Sequence, residues 1–148
     1  MPCLRSSLRL DGLDATNALG ARLAAALRPG DAVLLSGPYG AGKTALARAT
    51  LRALVGDPAL EVPSPSYTLV QTYDTPRGPA HHFDLWRLGG PAAVAELGWD
   101  EARDGIVLVE WPERLGALRP AGALEIALEP DGEDRRLATL TGWPERAL

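Results

Sequence analysis

Gly37-Pro38-Tyr39-Gly40-Ala41-Gly42-Lys43-Thr44 reads G-x-x-x-x-G-K-T, the pattern of a phosphate-binding loop. An apolar run, Ala32-Val33-Leu34-Leu35, precedes it, and Leu46, Ala47, Thr50, Leu51 and Leu54 follow at helical spacing. The motif therefore lies between a buried strand and an amphipathic helix, which is the context it needs. Gly37, Gly40 and Gly42, with Ala41 between the last two, let backbone N–H groups wrap closely around phosphates. The helix N-terminus adds partial positive charge. Lys43 can reach β- and γ-phosphates, and the Thr44 hydroxyl can hold Mg²⁺. Lys43 is also the only lysine among 15 basic residues; the other basic side chains are arginine. The chain uses lysine only where a compact ammonium fits.

The 148 residues suit one domain, read as spanning 1–148. A chain of this size buries roughly 68–70% of its unfolded surface, enough for a proper core. The formal net charge of −4 argues against a broad basic face for nucleic acid. Cys3 is the only cysteine, so no internal disulfide forms, and a reducing cytoplasm is the expected location. No apolar run approaches the ~18 residues of a membrane span, and the N-terminus lacks the apolar stretch of a secretion signal.

Working outward, Leu4 to Leu10 reads as an edge strand. Asp11 or Asp14 is expected to cap a helix carrying Leu19, Leu23 and Leu27, which Pro29-Gly30 ends. The helix after the loop is expected from Lys43 to Val55 and stops at Gly56-Asp57-Pro58. Val62 to Thr68 contains two prolines and three hydroxyls, Ser64, Ser66 and Thr68, and reads as an extended loop. A hydroxyl-bearing loop here can sense a γ-phosphate and its metal, or can be a plain surface turn. Leu69 to Tyr73 and Ala80 to Trp86 read as a hairpin turning at Asp74 to Gly78. Asp84, near its end, is a candidate to orient an attacking water or to reach Mg²⁺ through water, against the plainer reading of a turn aspartate. Gly90-Pro91 opens a short helix running to Gly98, and Asp100 to Arg103 forms one more turn. Ile106-Val107-Leu108-Val109-Glu110 is a buried strand that delivers a carboxylate at its C-terminal end, where open α/β sheets bind ligands. Glu110 is thus a Mg²⁺ ligand candidate. Trp111-Pro112 turns the chain, and strands at Ala123 to Glu129 and Arg135 to Thr141 form a second hairpin.

Four segments occur together: Gly40 to Thr44, Ser64-Pro65-Ser66-Tyr67-Thr68-Leu69-Val70, His82-Phe83-Asp84-Leu85-Trp86-Arg87-Leu88 and Val109-Glu110-Trp111-Pro112-Glu113. In this order and spacing they resemble the TsaE (YjeE) family of small bacterial ATPases. The likeness runs from Thr16-x-x-Leu19-Gly20 to the last hairpin. It implies a P-loop NTPase-like, three-layer α/β fold, with a parallel sheet core extended by antiparallel hairpins. It also implies an Mg²⁺-dependent ATPase, weak alone, that acts with TsaD and TsaB proteins in forming threonylcarbamoyladenosine beside the tRNA anticodon. Such a protein meets tRNA only through its partners, which suits an acidic chain. By position, the resemblance places Lys43, Glu110 and Asp84 in catalysis. It places Thr16, Gly37, Gly40, Ala41, Gly42, Lys43, Thr44, Trp111 and Arg136 around ATP, and Thr44, Glu110 and Ser66 around Mg²⁺. Three positions depart from the family pattern: Pro38 replaces a usual aspartate, Ser66 a threonine, and Trp86 a common tyrosine. Two other readings stay open, a small-molecule kinase with the same loop and a nucleotide-dependent switch that needs no hydrolysis.

Overall fold

A computed structural model describes residues 5–65, 68–133 and 135–143. In chain order the elements are β1 (Arg5–Leu10), α1 (Leu13–Ala26), β2 (Ala32–Ser36), α2 (Lys43–Val55), β3 (Val70–Thr75), β4 (Gly78–Asp84), α3 (Pro91–Ala95), α4 (Trp99–Ala102), β5 (Ile106–Glu110), a 3₁₀ helix (Pro112–Leu118), β6 (Leu124–Pro130) and β7 (Arg136–Thr141). The strands form one seven-stranded sheet in the order β1-β7-β6-β2-β5-β4-β3. β2 pairs in parallel with β5 and β6, and β4 in parallel with β5. The β3–β4, β6–β7 and β1–β7 pairs are antiparallel. This is the expected parallel core with antiparallel extensions.

Strand alternation explains the layers. Val33, Leu35, Ile106, Leu108, Leu124, Ile126 and Leu128 point to one face and pack with Leu19 and Leu23 of α1 and Leu46, Leu51 and Leu54 of α2. Ala32, Leu34, Val107 and Val109 point to the other and pack with Phe83, Val94, Trp99 and Leu115. β2 and β5 are buried on both faces, so their sequences are continuously aliphatic. Each such leucine, fully removed from water, contributes about 1.5–3 kcal/mol. The helices α1 and α2 approach closely at Gly20, where a Cβ would stand 2.6 Å from Ala49 Cβ and 2.8 Å from the Thr50 amide nitrogen.

Several boundaries differ from the sequence expectation. Neither Asp11 nor Asp14 caps α1. Gly12 takes that position, with φ 132° and no side-chain capping bond. The extended entry from β1 requires a backbone angle that glycine adopts freely. α2 spans the expected residues, and Gly56 ends it in the left-handed conformation at φ 84°. The first hairpin turns more tightly than expected, at Pro76-Arg77, and β4 ends at Asp84 rather than Trp86. The helix after Gly90 stops at Ala95, and Trp99 joins the next turn because its indole packs edge-on to Phe83 at 5.2 Å.

Candidate functional site

The parallel strands all end on the same side of the sheet. Leu35 on β2 and Asp84 on β4 each stand opposite Glu110 at the end of β5. The loop Gly37–Gly42 leaves β2 there and feeds α2. Gly37, Gly40 and Gly42 have φ of 138°, 81° and 99°, angles that favour glycine. Gly37 has a second constraint: an added Cβ would collide with the Leu128 carbonyl oxygen of β6. The loop is thus pressed against a neighbouring strand.

Lys43 is buried, and its Nζ donates to the Gly37 and Pro38 carbonyl oxygens at 2.6 and 2.8 Å. The ammonium also lies 4.2 Å from the centre of the Trp111 ring. Burial lowers the Lys43 pKa from its ordinary value, while Glu110, Glu113 and Asp84 act to raise it. Trp111 has φ 60° and ψ 55°. This left-handed conformation costs a non-glycine residue about 1–2 kcal/mol. It is held by the Trp111 N–H bond to Leu35 O at 3.3 Å and by packing against Trp86, with ring centres 4.4 Å apart.

Glu110 is buried at the end of its strand. Its Oε1 accepts the Thr44 hydroxyl at 2.7 Å, and its Oε2 accepts His82 Nε2 at 2.7 Å. Asp84 is buried beside it, and its Oδ1 accepts the Trp86 N–H at 3.1 Å. Asp84 therefore does support its turn, while its side chain also lines the cleft.

Two clefts flank the loop. One, of about 470 Å³, is lined by Lys43, Thr44, Ser64, Asp84, Glu110 and Trp111, among others. The other, of about 480 Å³, is lined by Leu10, Asp11, Leu13, Thr16, Leu128 and Arg136, with Ala41 at its floor. Gly42 and Ala45 border both. The first suits phosphates and a cation, and the second an apolar group with polar edges. Arg136 reaches the loop from β7: its Nε donates to Ala41 O at 2.9 Å and its Nη2 lies 3.5 Å from Gly40 O. It braces the loop as well as bordering the second cleft. Thr16 borders that cleft too, with its hydroxyl 3.4 Å from Gly12 O. Ser66 lies outside the described residues.

The donor set fits Mg²⁺ with a phosphate ligand. Among the described residues no group of three or more His, Cys, Asp or Glu side chains forms a closed metal cage. Mg²⁺ is typically held by one or two carboxylates, with phosphate oxygens and water completing its shell. Thr44 and Glu110 supply that partial set. Asp84, Glu110 and Glu113 all lie near the one ammonium, so acidic side chains outnumber it there.

Sequence reasoning gave no role to His82, which the strand pattern nevertheless marks: it precedes Asp84 by two residues and so shares its face of β4. It also left unassigned Leu10, Asp11 and Leu13, which border the second cleft and carry no motif. Among the described residues no helix is long and apolar enough to cross a membrane.

Comparison with known proteins gives a family and a fold. The family described as "Threonylcarbamoyl adenosine biosynthesis protein TsaE" matches residues 10–138. A Rickettsia bellii protein named tRNA threonylcarbamoyladenosine biosynthesis protein TsaE is 36% identical over 142 residues, covering 95% of this chain and 98% of its own length. The identically named Bacillus subtilis protein is 32% identical over 133 residues, covering 88% and 82%. The crystal structure of Bacillus subtilis YdiB superposes with a TM-score of 0.77 at 28% identity, covering 96% of this chain and 88% of that one. Match, identity and fold agree over nearly the whole described length, and the chain belongs to the TsaE family.

Proposed function

We propose that this protein binds ATP with Mg²⁺ and hydrolyses it slowly, in the cytoplasm, as an accessory of the TsaD and TsaB proteins that form threonylcarbamoyladenosine in tRNA. The observation that carries the nucleotide reading is the convergence of Lys43, Thr44, Glu110 and Asp84 on one cleft beside the glycine loop. The named relatives support the pathway.

In this reading the loop amides and Lys43 bind the phosphates. Lys43 exchanges its contacts to Gly37 O and Pro38 O for phosphate oxygens, so the buried ammonium keeps its bonds and gains charged acceptors. Thr44 and Glu110 hold Mg²⁺, which supplies charge neutralisation at the β- and γ-phosphates. Asp84 orients the attacking water, its direction fixed by the bond from the Trp86 N–H. Trp111 and Trp86 shield one wall of the cleft. The second cleft takes the nucleoside, with Thr16 and Arg136 at its border.

Calorimetric titration of Mg²⁺·ATP tests this, with circular dichroism as the check on folding. The parent binds and Lys43→Ala does not, although it folds. Equal binding by the two proteins refutes the assignment of the loop. Hydrolysis without any added acceptor separates an ATPase from a kinase, and co-purification with TsaD and TsaB with and without ATP tests the partners.

A further inference from the structure

His82 is one of the few polar side chains in the core, wholly removed from solvent. Its Nε2 bonds Glu110 Oε2 at 2.7 Å, and its Nδ1 has no partner among the described residues. A buried nitrogen without a partner is costly, and an aliphatic side chain at this position would avoid that cost. What the imidazole adds is one donor aimed at one carboxylate oxygen. The other oxygen, Oε1, takes the Thr44 hydroxyl at 2.7 Å. A glutamate has several rotatable bonds, and two donors on its two oxygens fix its orientation. Hydrogen-bond partners behind metal-binding side chains orient them in this way.

The register supplies the geometry. β4 and β5 are parallel, with His82 opposite Leu108 and Asp84 opposite Glu110. His82 therefore meets the Glu110 side chain from the strand interior, behind the cleft, and does not line the cleft itself.

We propose that His82 is a positioning residue: its Nε2–H holds Glu110 Oε2, so that Oε1 stays beside the Thr44 hydroxyl where the cation is bound. The inference rests on the reading of a Mg²⁺–nucleotide site given above. It assigns His82 no contact with nucleotide, water or metal.

The test uses two amides. A glutamine nitrogen can reach the place of Nε2, whereas an asparagine nitrogen stops short of it. Binding of the non-hydrolysable analogue AMP-PNP is titrated against Mg²⁺ in the parent, His82→Gln and His82→Asn. In His82→Gln the Mg²⁺ half-saturation stays within about twofold of the parent, and in His82→Asn it rises about tenfold. Mg²⁺-free AMP-PNP affinity is the same in all three. A purely structural histidine would lower the melting temperature of both variants and leave the Mg²⁺ half-saturation alone, which overturns the proposal. If Mg²⁺ does not alter binding to the parent, the underlying site reading falls and the proposal with it. If it does alter binding to the parent and His82→Asn responds identically, only the proposal falls. Should either variant fail to fold, the parent decides. The chain has 2 histidines, so imidazole ¹⁵N resonances are readily assigned. Mg²⁺ added to the AMP-PNP complex shifts the His82 Nε2 signal and leaves His81 in place. An unmoved His82 signal overturns the proposal.

Discussion

Replacing Gly37 by alanine tests whether the phosphate loop is shaped by its own sequence or by the strand beside it. Gly37 has φ 138°, and its missing Cβ would overlap the Leu128 carbonyl oxygen, lying 3.2 Å from that carbonyl carbon and 3.3 Å from Ala41 Cβ. The oxygen belongs to β6, which pairs with β2 as far as Ala127 and with β7 through Leu128 to Pro130, so it has little room to retreat. Two costs combine. Holding an L side chain in such a backbone region costs about 1–3 kcal/mol. Forcing an extra methyl into packed structure costs about 1–3 kcal/mol more. The sum, roughly 2–6 kcal/mol, corresponds to a fall in melting temperature of about 6–18 °C at ~3 °C per kcal/mol for this size. Gly40→Ala is the control. It has φ 81°, and its Cβ meets nothing within 4 Å. Only the backbone term remains, about 1–2 kcal/mol, or about 3–6 °C. Thermal unfolding followed by circular dichroism reads both. If Gly37→Ala melts within about 2 °C of the parent, the loop is not pressed on β6 as described.

Three further outcomes are expected. Asp84→Ala binds ATP like the parent but hydrolyses it at least tenfold more slowly, a loss of about 1.4 kcal/mol of transition-state stabilisation, measured by phosphate release; parent-like turnover refutes its role. Arg77→Ala removes two bonds from Nη1 to Ala25 O and Leu27 O, at 2.9 and 2.7 Å, that close the C-terminus of α1. It costs about 1–2 kcal/mol in urea unfolding and leaves nucleotide binding unchanged. Burial lowers the His81 pKa below its ordinary value of 6.5, so the unfolded chain binds more protons between the lowered value and 6.5. Stability therefore rises with pH through that window and falls on acidification, and His81→Gln shows a flatter melting-temperature profile between about pH 7 and about pH 5.

The fold was legible wherever the hydrophobic period matched a single element. The continuous aliphatics of β2 and β5 announced buried parallel strands, and the glycine at position 56 marked the end of α2. Short elements were less legible. Gly12 starts α1 although two aspartates stand near it, because the turn out of β1 sets the backbone angle before any side chain can cap. Trp99 starts a helical turn because Phe83, on β4, offers it an edge. The site divides in the same way. Lys43, Thr44 and Glu110 carry motif signals, since their chemistry fixes their spacing. His82 stands in a segment that carries the resemblance, yet its contact to Glu110, like the place of Asp11 beside the second cleft, depends on which elements become neighbours.

Pro38 shows how sequence and structure must be combined. The family resemblance leads one to expect aspartate there, and its loss looks costly when only side chains are compared. In the structure the position serves through its backbone: Pro38 O accepts Lys43 Nζ at 2.8 Å and the Ala41 N–H at 3.1 Å. Any residue offers that carbonyl. Proline differs in two other respects: it has no N–H to offer a phosphate, and its ring limits φ to about −65°. The first removes one possible donor from the loop entrance, and the second stiffens the exit from Gly37. The restraint acts where Leu128 already presses on the loop, while Arg136 holds its far side through Ala41 O. The loop is thus fixed at both ends by contacts from β6 and β7, late in the chain. The second hairpin, which carries no nucleotide motif, is what gives the motif its shape.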